Sequence, residues 1–303
     1  MEHDLQPDAS VIGGVSVAPI AFLPQVETLF DTRAARFAFL AQSSNLAPYL
    51  RFLADLTALQ ARLVATLPAP ARPDAARIDL ARSARLPPID RRMVRDDPVL
   101  IETLARLCTG AAGLEMPAPA RLALEAVTQA SARDRDWLLA NVLADTIPED
   151  SVAPHLFAAA AVQIHMARLA AGLDVAKLVP IRTGTCPCCG GRPATSSVIT
   201  YKDLENVRYA TCATCATRWN EVRIKCLCCG STGGIAYRSA ETVDATVKAE
   251  TCSECQSWVK IFYQVRNPSL EPVADDVGSI GLDMMMKGTD FKRGGFNPWL
   301  AGY

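Results

Sequence analysis

Four CxxC pairs crowd into the stretch from Cys186 to Cys255: Cys186/Cys189, Cys212/Cys215, Cys226/Cys229 and Cys252/Cys255. A CxxC turn lets two thiolates grip one ion while amides of the same turn donate to the sulfurs. Two such knuckles complete a tetrahedral S₄ site. The pairs form two sets with 22 residues between the members of each, enough for two or three short strands that return one knuckle to the other. Cys186, Cys188, Cys189, Cys212 and Cys215 shifted by forty positions land on Cys226, Cys228, Cys229, Cys252 and Cys255, which marks an internal repeat. We therefore assign Cys186, Cys189, Cys212 and Cys215 to one ion and Cys226, Cys229, Cys252 and Cys255 to a second. A module of about forty residues rarely holds its fold by an apolar core alone, and a structural zinc site contributes on the order of 10 kcal/mol. Both modules are expected to unfold without metal. Tetrahedral S₄ coordination suits zinc and a single iron equally.

The other candidates are weaker. Cys188 and Cys228 each adjoin a ligand; the simpler reading is a free thiol on the knuckle, the sharper one an auxiliary ligand or redox-active thiol. Cys108 shares a helical face with Leu100 and Leu104 and reads as a small buried apolar group. Trp219 and Trp258 follow the second knuckle of each set and are expected to cover the sites. His155 and His165 are ten residues apart on one helix, so they do not share a face as a ligand pair would.

The elements that must position these residues follow from periodicity. Residues 1–25 show none and read as an extended arm. Residues 26–180 read as an all-helical domain, with apolar stripes such as Leu29, Phe30, Phe37, Leu40 and then Tyr49, Leu53, Leu56, Leu59, Leu63. Within it, residues 67–98 carry six prolines and are expected to form a loop with at most one short helical turn. Further helices fit 98–110, 118–131, 134–145 and 153–171. From residue 181 the alanines give way to glycines, cysteines and alternating β-branched runs. The expected fold class is α + small β: an N-terminal helical domain, two tandem rubredoxin-like or zinc-ribbon modules at 181–225 and 226–267, and a tail at 268–303 with a helix around 275–287.

Composition narrows the function. The chain has 303 residues, half of them hydrophobic, and a formal net charge of −1. MEHDLQP lacks the basic start of a signal peptide, and AAAAVQIHMARLAAG is broken by His165 and Arg168, so a cytoplasmic protein without membrane contact is expected. Thiols stay reduced in that compartment, which favours metal over disulfides. Residues 181–267 hold eleven Lys/Arg against seven Asp/Glu, and each S₄ site with a divalent ion adds a net −2. The modules end near neutral, against the basic excess that nucleic-acid binding requires. A dithiol oxidoreductase needs one CxxC opening a helix in a βαβ unit, and no such pattern surrounds these pairs. There is no Walker loop and no GxSxG, and Asp275 and Asp276 read as solvated or helix-capping. A non-catalytic binding protein remains, with a zinc-ribbon nucleic-acid binder and a thiol redox protein as the alternatives.

Several stretches together resemble one family. CPCCG at 186, TCATCATRWNEVRIKC, AETCSECQSWVKIFY, PVADDVGSIGLDMMM, the terminal RGGFNPWL and the N-terminal LFDTRAARFAFLA are similar to the formate dehydrogenase accessory proteins called FdhE. The resemblance covers nearly the whole chain. It implies a cytoplasmic, non-enzymatic protein needed for active formate dehydrogenase, which binds the catalytic subunit before export. It also implies rubredoxin-like modules holding two metal ions, iron ahead of zinc, on the eight CxxC cysteines. Cys188 and Cys228 depart from the usual pattern. The tail residues Arg293, Gly294, Gly295, Asn297 and Pro298 are a second-choice partner contact, set against a glycine turn that packs Phe296 and Trp299 onto the body. A homodimer is left open.

Overall fold

The computed structural model describes residues 17–240 and 245–302, so most of the expected N-terminal arm lies outside the described residues. What is described of it contributes strand β1 (Ala21–Phe22). The helices that follow are α1 (Val26–Leu40), α2 (Ala47–Val64), α3 (Ala75–Ala84), α4 (Arg91–Val94), α5 (Pro98–Ala111), α6 (Ala118–Thr128), α7 (Ala132–Leu143) and α8 (Val152–Ala171). Helix α8 is buried around most of its circumference, with fifteen residues enclosed, which is the pattern of a helix surrounded by others. Helices α1, α2, α5, α6 and α7 pack around it.

The segment 67–98 corrects our expectation of a loop. It holds the ten-residue α3 as well as the short α4. Its prolines fall outside helix interiors, leaving 74–86 free of them; Asp74 caps α3 by accepting from Arg77 N–H, and Arg85 ends it in the left-handed conformation. Helix α6 stops three residues short of the expected end because Ser131 caps the next helix, accepting from Asp134 N–H.

The repeat builds one sheet, not two. Its first copy supplies β2 (Pro193–Tyr201), β3 (Leu204–Cys212) and β4 (Arg218–Glu221); its second supplies β5 (Ile235–Arg238), β6 (Val247–Cys252) and β7 (Ser257–Tyr263). The spatial order is β1-β4-β3-β2-β7-β6-β5. Each copy is an antiparallel three-stranded unit, and the copies join where β2 runs parallel to β7, Thr195 opposite Lys260 through Val198 opposite Tyr263. The join is head to tail: the first strand of one copy meets the third strand of the next. Strand β1 covers the equivalent edge of the first copy by pairing with β4, Ala21 opposite Trp219.

The tail packs back on this sheet. The helix expected around 275–287 is two helices, α9 (Ala274–Gly278) and α10 (Ile280–Lys287), divided at Ser279. At this break the buried Lys260 ammonium donates to the carbonyls of Asp276 (2.6 Å) and Ser279 (3.2 Å). Strand β8 (Lys292–Arg293) then pairs parallel to β7.

Asp275 and Asp276 also depart from expectation, for both are buried anchors. Arg36 of α1 grips Asp275 in a fork at 2.8 and 2.7 Å. Asp276 accepts from Arg293 Nη2 on both carboxylate oxygens at 2.7 Å, from the Asn297 amide at 2.9 Å and from the Lys260 ammonium at 3.1 Å, while Arg293 Nη1 pairs with Asp283. Burial opposes its ionisation, but Arg293 and Lys260 hold its carboxyl below the usual range. Lys260 in turn is pulled by burial down to about 8.

Candidate metal centre

The sulfurs of Cys186, Cys189, Cys212 and Cys215 lie within 4.8 Å of one another, and so do those of Cys226, Cys229, Cys252 and Cys255. None of the eight is in a disulfide. In the first set Cys186–Cys215 and Cys189–Cys215 are separated by 3.5 Å and Cys189–Cys212 by 3.7 Å; in the second, Cys226–Cys255 are at 3.7 Å and Cys229–Cys252 at 3.8 Å. A tetrahedron with metal–sulfur bonds of about 2.3 Å places its sulfurs about 3.8 Å apart. The donor sets therefore fit a tetrahedral ion. Each knuckle turns the way such a site needs: Gly190 N–H bonds Cys186 O at 2.9 Å and Gly230 N–H bonds Cys226 O at 3.0 Å, with the glycines at φ +74 and +81. Amides also point at sulfur, Cys215 N–H to Cys212 Sγ at 3.5 Å and Cys228 N–H to Cys226 Sγ at 3.3 Å.

The first set is sealed into the helical body. Its four ligands are at most 1% exposed, and Cys188 is fully buried, its carbonyl accepting from Ile89 N–H at 3.1 Å. Gln163 of α8 donates to Ala213 O, inside the second knuckle, at 2.9 Å and itself accepts from Gln60 of α2 at 3.1 Å. Arg91 of α4 brings its Nη2 to 3.5 Å from Cys189 Sγ and 4.0 Å from Cys212 Sγ, while its Nη1 bonds Asp145 at 2.8 Å. Burial works against its charge, but the Cys189 sulfur and the Asp145 carboxylate outweigh it and push its pKa upward. A guanidinium there offsets the net negative charge of a buried tetrathiolate. Nothing in IDRRMVRDD distinguishes Arg91 from the arginines around it, so sequence reading missed it.

The second set stands at the surface. Cys226 and Cys252 are buried at 4% and 1%, but Cys255 is only partly covered and Cys229 is exposed, as is the auxiliary residue Cys228. Its N-terminal knuckle leans on the start of the first copy, where Gly184, at φ +65, approaches Leu227 O so closely that a Cβ there would collide with it. Trp219 pairs with Ala21 and Ala210 in the core that contains the first set, whereas Trp258 packs with Ala249, Leu282 and Met286 beneath the Arg293 guanidinium.

The tail residues divide by exposure. Asn297 and Pro298 are buried, and Asn297 donates to Val273 O at 3.2 Å as well as to Asp276. Arg293, Gly294 and Gly295 are partly exposed; Gly294 sits against Cys228 Sγ and Gly295 against Ala194 O, with no room for a side chain at either. Phe296 and Trp299 are 9% and 1% exposed, against the body. His155 and His165 are both fully buried: His155 lies between Ser151 O and Asn141, and His165 faces Asp97 at 3.3 Å. Among the described residues no helix is long and apolar enough to cross a membrane.

Comparison with known proteins covers nearly the whole chain. Three family descriptions match in succession: "FdhE, N-terminal" over residues 18–183, "FdhE, central domain" over 185–223 and "FdhE, C-terminal domain" over 224–300. A relative named Protein FdhE homolog, from Rhizobium meliloti, is 54% identical over 301 residues, 99% of this chain and 98% of its own length. Protein FdhE of Escherichia coli is 32% identical over 297 residues, 94% and 91% of the two chains. The crystal structure of the FdhE protein from Pseudomonas aeruginosa superposes with a TM-score of 0.83 at 30% identity, covering 94% of this chain and 99% of that one.

Proposed function

This chain belongs to the FdhE family, and on that premise we propose that it serves formate dehydrogenase as a cytoplasmic, non-catalytic maturation factor that binds the catalytic subunit. The observation that supports a metal-dependent mode of binding is the fusion of both cysteine sets into one sheet, in which β2 of the first copy carries β7 of the second. Ions on the eight cysteines would hold four knuckles in fixed register, and with them the only β surface that the described residues offer a client. A zinc-bound S₄ set supplies folding free energy, and an iron-bound one adds one-electron chemistry. We take iron ahead of zinc. Arg293, Gly294 and Gly295 supply a partly exposed edge of the tail for contact, while Asn297 and Pro298 hold it from beneath.

Capture of the catalytic subunit from cells producing formate dehydrogenase tests this reading, with metal analysis of protein purified without oxygen. Cys186→Ser or Cys252→Ser should lose metal and capture together. A metal-free variant that still captures the subunit defeats the coupling.

A further inference from the structure

The repeat gives both cysteine sets the same spacing, so any difference between them comes from what surrounds them. The surroundings differ in three respects. First, the ligands of the N-terminal set are at most 1% exposed, whereas Cys229 is exposed and Cys255 partly so. Second, the N-terminal set is roofed by the helical body through Ile89, Arg91 and Gln163; at the position forty residues after Ala213, which Gln163 grips, stands the exposed Ser253. Third, a buried tetrathiolate needs a compensating cation, and Arg91 lies 3.5 Å from Cys189 Sγ to supply it, while the exposed Cys229 leaves the second set open to solvent screening.

We propose that the two centres have unequal roles: the Cys186/Cys189/Cys212/Cys215 centre is a permanent clasp between helical body and sheet, and the Cys226/Cys229/Cys252/Cys255 centre is exchange-competent, open to an external sulfur-donor ligand. The step is a ligand substitution with no change of oxidation state. With an ion held by the four cysteines, an incoming thiol would bind it as a thiolate in place of Cys229, and the proton given up by that thiol would end on the released Cys229 sulfur. Total charge and atoms are conserved. At the first centre the same approach requires α4 and α8 to part from the knuckles, which couples release to opening of the helical body. The inference rests on both sets holding an ion and not on the identity of the client, so its test is made without one.

Full-length protein loaded with two equivalents of zinc is mixed with excess pyridylazoresorcinol, and release is followed by colour while N-ethylmaleimide pulses and peptide mass mapping locate the freed thiols. We expect one equivalent to leave at least about tenfold faster than the other, with alkyl label on Cys226, Cys229, Cys252 and Cys255 during the fast phase. A small external thiol should speed the fast phase only. A single rate for both equivalents overturns the proposal, and so does early label on Cys186, Cys189, Cys212 and Cys215. The wild-type protein suffices for these outcomes. As a second arm, Cys229→Ser should abolish the fast equivalent and keep the slow one; loss of both equivalents contradicts the assignment.

Discussion

Arg208 of β3 donates to Glu250 of β6 at 2.6 Å, tying the first copy of the repeat to the second through a pair whose side chains are 0% and 3% exposed. The guanidinium also bonds Ser196 Oγ at 3.1 Å and Lys225 O at 2.8 Å, so β2 and the segment linking the copies join the same node. The head-to-tail junction is thus backed by backbone pairing and by a buried charge network.

Removing one partner of that network leaves the other charge buried and unpaired. Arg208→Met or Glu250→Leu alone should each destabilise the metal-loaded protein by about 3–5 kcal/mol. Replacing both together, Arg208→Met with Glu250→Leu, should recover most of that. A thermal-melting double-mutant cycle checks it, and additive single effects would refute the coupling.

Gln163 is the polar link between the buried helix α8 and the first centre. Gln163→Leu strands the Ala213 carbonyl and one contact of Gln60 in the core, an expected loss of about 1–3 kcal/mol. The melting temperature reports the loss; zinc release from the first centre should quicken in the same variant. An unchanged slow-phase rate would separate Gln163 from the metal site.

Glycines at 184 and 281 make opposite predictions. At Gly184 a Cβ would run into Leu227 O on a left-handed backbone, so Gly184→Ala should displace the second centre's knuckle and lower its zinc occupancy. At Gly281 in α10 nothing lies within 4 Å of a Cβ, and Gly281→Ala should stabilise by about 0.4–1 kcal/mol. Metal content and melting of the two variants decide both.

His165 sets an acid limit. Burial, against the pull of Asp97, takes its pKa from 6.5 down to about 4. Between those values the unfolded chain holds a proton that the folded chain refuses, so stability should fall as pH drops from 6.5 toward 4, by up to about 3 kcal/mol. Burial lowers His155 in the same direction, and acid also weakens thiolate ligation, so the contribution is read as the difference from His165→Gln. That variant should show a shallower acid slope; an identical slope would remove His165 from the account.

Much of this protein is written locally. Spacing and the forty-residue shift sort eight cysteines into two fours, because a CxxC turn and a short antiparallel return are nearest-neighbour events in the chain. Apolar periodicity marks α1, α2, α5 and α8 for the same reason, since a helix face is set by residues three and four apart. It failed at 67–98, where the number of prolines hid the proline-free window of α3, and at Asp275 and Asp276, whose arginine partners are 239 and 17 residues away. Long-range choices belong to the tertiary structure alone. The parallel meeting of β2 and β7 fuses two copies of one motif into a single sheet, and the docking of α4 and α8 covers one copy and leaves the other open. A repeat specifies identical ligands twice; it cannot say which copy will meet the helical body, and that contact is what makes the two centres unlike.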